Sequence, residues 1–86
     1  MKSLIFDIRA FEDLEWWVKK DRKKATKIFK LIQEVSKDPF QGIGKPEPLK
    51  GELSGCWSRR IDAEHRLVYE VKENTIKILA CRYHYE

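Results

Sequence analysis

Two arginines, a proline-flanked glutamate and a near-terminal histidine are the residues whose types could act together on a phosphate. Glu47 sits in Gly44-Lys45-Pro46-Glu47-Pro48-Leu49-Lys50, where a proline on either side stiffens the backbone carrying its carboxylate. Arg59-Arg60 closes one strand-like segment and Arg66 opens the next. Neighbours in a strand project to opposite faces, so Arg59 and Arg60 point different ways. If Asp62-Ala63-Glu64 is a three-residue loop, Ile61 pairs with His65 and Arg60 lies directly opposite Arg66. Like charges so placed repel, by a few tenths of a kcal/mol or more (roughly). An anion seated between them would relieve that, and so would the carboxylate of Glu47, Glu52 or Glu70. Spacing leaves both readings open. His84, in Arg82-Tyr83-His84-Tyr85-Glu86, is either an exposed bystander or an acid, and its spatial company decides which. A rigid carboxylate, an imidazole and two guanidinium groups are what phosphodiester cleavage by internal transfer requires. One group removes the ribose 2′-OH proton, one protonates the leaving oxygen, and the arginines hold the phosphate as charge builds. Spacing alone does not bring Glu47 to the others.

Two further features carry charge or stacking surface. The run Lys19-Lys20-Asp21-Arg22-Lys23-Lys24-Ala25-Thr26-Lys27 is either a phosphate-binding face or the solvated side of a helix. A solvated face can still steer an anionic partner. Trp16-Trp17 cannot send both rings into one core, so one packs inward and the other covers a loop or a partner.

These residues need elements to position them. Lys2 to Phe6 reads as a strand, and Asp7 suits the cap of a helix running to about Lys20. Phe11, Leu14 and Val18 form its expected buried stripe. Asp21 can cap a second helix, with Ala25, Ile28, Phe29, Ile32 and Val35 on one face. Asp38-Pro39 ends it, since proline disfavours helix at the preceding residue. Every proline and glycine lies between Pro39 and Gly55, which marks a long loop. Three strand-like segments follow, Cys56 to Ile61, His65 to Val71 and Thr75 to Tyr83, with connections short enough for an antiparallel meander. The expected fold is α+β: two N-terminal helices packed on a small, mostly antiparallel sheet.

The chain has 86 residues, 18 Lys+Arg and 14 Asp+Glu, for a net charge of +4. That length fits one domain spanning residues 1–86, and a chain so short leaves room only for a shallow site. Ten aromatic residues (three Trp, three Tyr and four Phe) argue against disorder. No stretch approaches the ~18 apolar residues of a membrane span, and Asp7 interrupts the N-terminal apolar run too soon for a signal peptide. A cytoplasmic location is expected. Cys56 and Cys81 show no metal-ligand or redox spacing and read as buried, reduced thiols.

The motifs, taken in order, are Lys45-Pro46-Glu47-Pro48-Leu49-Lys50, Leu53-Ser54-Gly55, Trp57-Ser58-Arg59-Arg60-Ile61, Glu64-His65-Arg66-Leu67-Val68-Tyr69 and Ala80-Cys81-Arg82-Tyr83-His84-Tyr85. Together they closely resemble the YoeB toxins of the RelE-like toxin–antitoxin superfamily. The likeness extends over essentially the whole chain and is densest from Pro39 onward. It implies a RelE-like microbial ribonuclease fold and a bacterial endoribonuclease. Such an enzyme enters the A site of the 70S ribosome, meets rRNA there and cuts the mRNA. In that mechanism the 2′-OH attacks the adjacent phosphate, leaving a cyclic phosphate and a free 5′ end. By the same resemblance Glu47 is the general base, Arg66 stabilises the phosphate, His84 is the general acid and Tyr85 orients the substrate. Lys50 and Arg60 match positions that support the phosphate and the RNA. The resemblance also implies a homodimer, inhibition by a YefM-like antitoxin, and no metal or other cofactor. Glu86 extends past the His-Tyr pair near which family chains commonly stop. The competing reading is a non-catalytic toxin on the RelE/ParE scaffold, or an RNA-binding module, acting by binding alone. Neither needs an acid–base pair beside two arginines.

Overall fold

The computed structural model describes residues 2–83. His84 and Tyr85, to which the resemblance gives chemical roles, lie outside the described residues.

Strand β1 (Ser3–Phe6) leads into helix α1 (Ile8–Lys20), and Asp7 caps the junction by accepting the Arg9 N–H at 2.9 Å. Helix α2 (Arg22–Lys37) follows after a single residue. Asp21 serves both helices: its N–H closes α1 on Trp17 O at 2.8 Å, and its carboxylate accepts the Lys24 N–H at 3.2 Å. Lys19 and Lys20 in the last turn of α1 complement the negative end of its dipole. Asp38 closes α2 before Pro39, as the sequence predicts.

The long Pro/Gly segment is less irregular than expected. It holds a two-residue strand, β2 (Glu47–Pro48), and a short 3₁₀ turn at Gly51–Leu53. Strands β3 (Cys56–Arg60), β4 (Arg66–Val71) and β5 (Thr75–Ala80) then form the meander. Each is trimmed by one or more residues relative to the sequence reading, most of all β5, which ends at Ala80. The sheet order is β1-β5-β4-β3-β2, with β1 parallel to β5 and the other pairs antiparallel.

Both helices pack on one face of this sheet. The core joins Ala10, Leu14 and Trp17 of α1 and Ala25, Ile28, Leu31, Ile32 and Val35 of α2 to Leu67, Tyr69, Ile76 and Ile78. Alternation along β4 and β5 therefore sends Leu67, Tyr69, Ile76 and Ile78 toward the helices. The α+β expectation holds.

Three expected core residues lie elsewhere. Phe11 is 62 % exposed, Val18 42 % and Phe29 48 %. The inward stripe of α1 is Ala10–Asp13–Leu14–Trp17, because the large indole of Trp17 and the small Ala10 set the helix against the sheet. Phe11 and Val18 are each one residue, or ~100° of helix, further round. With Phe6, Leu14, Glu15, Lys19 and Phe29 they line an open groove of about 580 Å³. Among the described residues no helix is long and apolar enough to cross a membrane.

Candidate functional site

The sheet face away from the helices gathers the residues that the sequence marks. Glu47 pairs with Ser58, Ser58 with Val68, and Val68 with Ala80. Residues directly opposite in a ladder share a face, so these four form one row across β2, β3, β4 and β5. Arg60, two residues from Ser58, is paired with Arg66, two residues from Val68. The arginine pair is therefore the adjacent row on that same face. Glu47 and Arg60 are diagonal neighbours on it, with backbones roughly 7–8 Å apart. Ser58, Val68 and Ala80 are buried, whereas Glu47 and Arg60 are exposed. Small side chains thus make a floor from which the charged ones project. Ile61 N–H donates to His65 O at 3.0 Å, closing the three-residue loop that aligns the arginines.

No carboxylate neutralises that pair among the described residues. Glu70 faces Lys72 at 3.7 Å, and neither Glu47 nor Glu52 forms an ion pair with Arg60 or Arg66. Arg66 Nη1 donates to Asp62 O at 2.8 Å and to His65 O at 3.1 Å. One edge of its guanidinium is thereby fixed by the loop it follows. The basic run on α2 reaches this loop as well: Lys24 Nζ lies 3.1 Å from Asp62 Oδ2, and Lys27 Nζ donates to Ile61 O at 2.5 Å. Those two lysines have a structural task, and Lys19, Lys20, Arg22 and Lys23 stay exposed to solvent.

Asp62 organises the loop from inside. Its Oδ1 accepts the N–H of Glu64 at 2.8 Å and of His65 at 2.7 Å. Burial alone would raise its pKa, but those two hydrogen bonds and the Lys24 ammonium together bring it below the ordinary 3.8. A lowered carboxylate pKa contributes stability above the unfolded value and loses it as pH falls through the folded one. Asp62→Asn is therefore expected to lower unfolding free energy by about 1–2 kcal/mol at pH 7. Urea denaturation should show the gap to wild type closing as pH drops below 3.8. A gap that persists at low pH would contradict the charge-based origin.

Arg59, on the opposite face from Arg60, is completely buried. Its Nε donates to Tyr69 Oη at 3.1 Å, its Nη1 to Ile43 O at 3.1 Å, and its Nη2 to Asp38 O at 2.5 Å and Gln41 O at 3.0 Å. Tyr69 Oη donates in turn to Pro39 O at 2.7 Å. A buried cation is tolerable here because loop carbonyls supply its acceptors. The result is a loop tied to β3 just before Glu47, with Arg60 N–H also donating to Gly44 O at 2.7 Å. Gly44 has φ +84°, and a Cβ there would meet Leu31 Cδ2 at 3.0 Å and Arg59 Cβ at 3.1 Å. Only glycine fits that approach. Sequence reasoning separated Arg59 from Arg60 but offered no sign that it anchors the loop.

Beyond β5 the chain is held by α1. Cys81 N–H donates to Asp13 Oδ2 at 3.0 Å, and Trp17 Nε1 donates to Cys81 O at 2.7 Å. Trp17 is thus the inward ring of the Trp16-Trp17 pair. Trp16 lies under the Arg82 guanidinium, 3.6 Å from carbon to ring centroid. Both cysteines are free and buried, as the sequence predicts. Burial, with the Asp13 carboxylate adding to it, pushes the Cys81 thiol up to about 12; burial and then Glu70 push Cys56 up. Cys81 should react with a disulfide reagent at pH 8 about 10³-fold more slowly than an unhindered thiol, from its thiolate fraction alone. Timed thiol release in buffer and in denaturant checks this, and two fast thiols in buffer would contradict it.

Of the residues singled out from sequence, Glu47, Arg60 and Arg66 come together on one face. Lys50 stands exposed where the chain enters the 3₁₀ turn, three positions past Glu47. Among the described residues no three His, Cys, Asp or Glu side chains are grouped to hold a metal ion.

Solved structures that share this two-helix, five-strand architecture are small toxins from toxin–antitoxin systems. A solved YoeB/ParE toxin from Agrobacterium tumefaciens superposes with a TM-score of 0.92 at 45 % identity, covering 99 % of this chain and 100 % of that one. YoeB of Staphylococcus aureus matches both as a dimer (TM-score 0.88, 46 % identity, 98 % of each chain) and in a YoeB–YefM complex (0.86, 44 %, 99 % of each). Residues 6–85 match the family model of the YoeB-like toxin of bacterial type II toxin–antitoxin systems. A toxin YoeB from Mycobacterium bovis is 58 % identical over 85 residues, 99 % of this chain and 100 % of that protein. The chain belongs to the YoeB family of type II toxin–antitoxin toxins.

Proposed function

We propose that this toxin is a ribosome-dependent endoribonuclease that cuts mRNA in the A site of the 70S ribosome and so stops translation. The observation that carries the reading is the directly opposed Arg60–Arg66 pair. It has no carboxylate partner among the described residues and shares a sheet face with Glu47. Two like charges held together at a stability cost are explained by an anion that binds between them.

In the proposed reaction the Glu47 carboxylate removes the proton of a ribose 2′-OH. The 2′-oxygen attacks the neighbouring phosphorus, and the bond from phosphorus to the 5′-oxygen breaks. His84 donates a proton to that departing oxygen. The products are a 2′,3′-cyclic phosphate and a 5′-OH end. Arg66 stabilises the charge gathering on the phosphate, Arg60 and Lys50 hold the RNA, and Tyr85 orients the substrate. No step in this scheme is routed through a metal or cofactor. The exposed lysines of α1 and α2 steer the protein toward rRNA.

The same reading includes a homodimer and inhibition by a YefM-like antitoxin, supported by the assemblies in which the S. aureus relative was solved. The groove lined by Phe6, Phe11, Val18 and Phe29 is apolar exposure of the kind that marks protein contacts. The test incubates the pure protein with mRNA either free or loaded on 70S ribosomes, and maps new 5′ ends. New ends at the A-site codon, only with ribosomes, support the reading; an intact messenger overturns it.

A further inference from the structure

Tyr83 lies three residues past the last residue of β5, yet both of its backbone groups are held. Its N–H donates to His65 Nδ1 at 2.7 Å, and its C=O accepts the Arg66 N–H at 2.9 Å. Its φ of +69° lies in the left-handed region that residues with a Cβ avoid, so the chain turns sharply here against its own preference. Two residues earlier, Asp13 and Trp17 hold Cys81 in the same two-ended way. The segment that leads to His84 is thus clamped twice after leaving the sheet.

His65 is built for this task. A ring nitrogen that accepts a hydrogen bond carries no proton, so the imidazole hydrogen is on Nε2. His65 is buried, and its ring stands edge-on to Trp17, with centroids 4.9 Å apart. Its Nε2 is 3.8 Å from Glu64 Oε1, too far for a hydrogen bond, so the Nδ1 contact is its directional one. His65 also precedes Arg66, and its carbonyl accepts from the Arg66 guanidinium at 3.1 Å.

We propose that His65 is a positioning residue for the cleavage reaction. By taking the Tyr83 N–H at Nδ1, while Arg66 donates to the Tyr83 carbonyl, it fixes how the chain departs toward His84 relative to the Arg66 guanidinium. The inference rests on the general-acid role proposed above for His84. A histidine that only filled space would be replaced by any side chain of similar volume. One that supplies an acceptor at Nδ1 is replaced by asparagine, whose amide oxygen occupies that place, and not by glutamine, whose amide reaches the position of Nε2.

The test is single-turnover cleavage on messenger-programmed ribosomes at saturating protein, with ribosome affinity and thermal unfolding measured in parallel. His65→Gln should cleave about 10–100-fold more slowly with unchanged affinity, and His65→Asn should stay within about threefold of wild type. In a His84→Ala background, His65→Gln should cause no further loss, because the group being positioned is gone. The inference is overturned if His65→Gln cleaves at the wild-type rate, if the Asn and Gln variants lose equally, or if the loss recurs in full without His84. Should His65→Gln fail to fold, the Asn variant decides: retained rate supports the role and lost rate overturns it. A wild-type protein that leaves the messenger intact overturns the proposed function, and this inference with it. Wild-type cleavage matched by His65→Gln overturns the inference alone.

Discussion

Arg66→Ala is expected to slow single-turnover cleavage on programmed ribosomes by about 10²–10³-fold while the protein stays folded. The expectation follows from how the side chain is held. Nη1 is occupied by Asp62 O and His65 O, so the guanidinium is oriented before any substrate arrives. Charge that is already oriented costs no reorganisation as the phosphate gains negative charge, and that is where electrostatic catalysis is strongest. The stability cost should be small, about 1 kcal/mol per lost hydrogen bond, offset by relief of repulsion with Arg60. Arg66→Lys should recover little, because an ammonium lacks the fork that can bond the loop carbonyls and a phosphate at once. Rapid-quench kinetics with thermal unfolding separates the two effects. A wild-type rate in a folded Arg66→Ala protein would remove Arg66 from the chemistry.

Glu47→Gln carries the second large effect, a loss of about 10²–10⁴-fold in the same measurement. The substitution keeps shape and backbone and removes only the capacity to take a proton. Glu47 is exposed at a sheet edge, so its fold contribution is minor and a lost rate would report chemistry. Strand β2, with Pro46 before Glu47 and Pro48 after it, and the Arg59 anchor behind it hold the carboxylate in register with Ser58. This variant also divides the two classes of mechanism. A toxin or RNA-binding module acting by binding alone keeps its activity without the carboxylate. Growth arrest that survives in Glu47→Ala, His84→Ala would favour that class. Loss in each single variant favours acid–base catalysis, and the double variant should then lose less than the product of the two.

The parts of this site legible from sequence were those governed by short-range rules. A three-residue loop and the period of two fix Arg60 opposite Arg66 from counting alone. Asp7, Asp21 and Asp38 mark helix ends because capping is local. The rotation of α1 was not legible. Its two apolar stripes, Ala10–Leu14–Trp17 and Phe11–Val18, are one residue apart, and packing of Trp17 against Cys81 and His65 decides between them. Nor was β2, whose two residues include a proline and exist as a strand only by pairing with β3. The Arg59 anchor and the clamps on Cys81 and Tyr83 join residues 10 to 68 positions apart, and no local pattern announces them. Glu47 reaches the arginines by the same kind of long-range pairing, which is why spacing left it isolated.

The most direct measurement is the chemistry of the ends made from a messenger held in the ribosome with its A site open. Mass spectrometry of the upstream fragment should find a 2′,3′-cyclic phosphate, and the downstream fragment should carry a 5′-OH that accepts a labelled phosphate from a kinase. Internal transfer through Glu47, Arg66 and His84 leaves that pair, or the 3′-phosphate formed when water opens the cyclic ester, and in either case a 5′-OH. A 3′-OH with a 5′-phosphate, or translation arrest with an intact messenger, would contradict it.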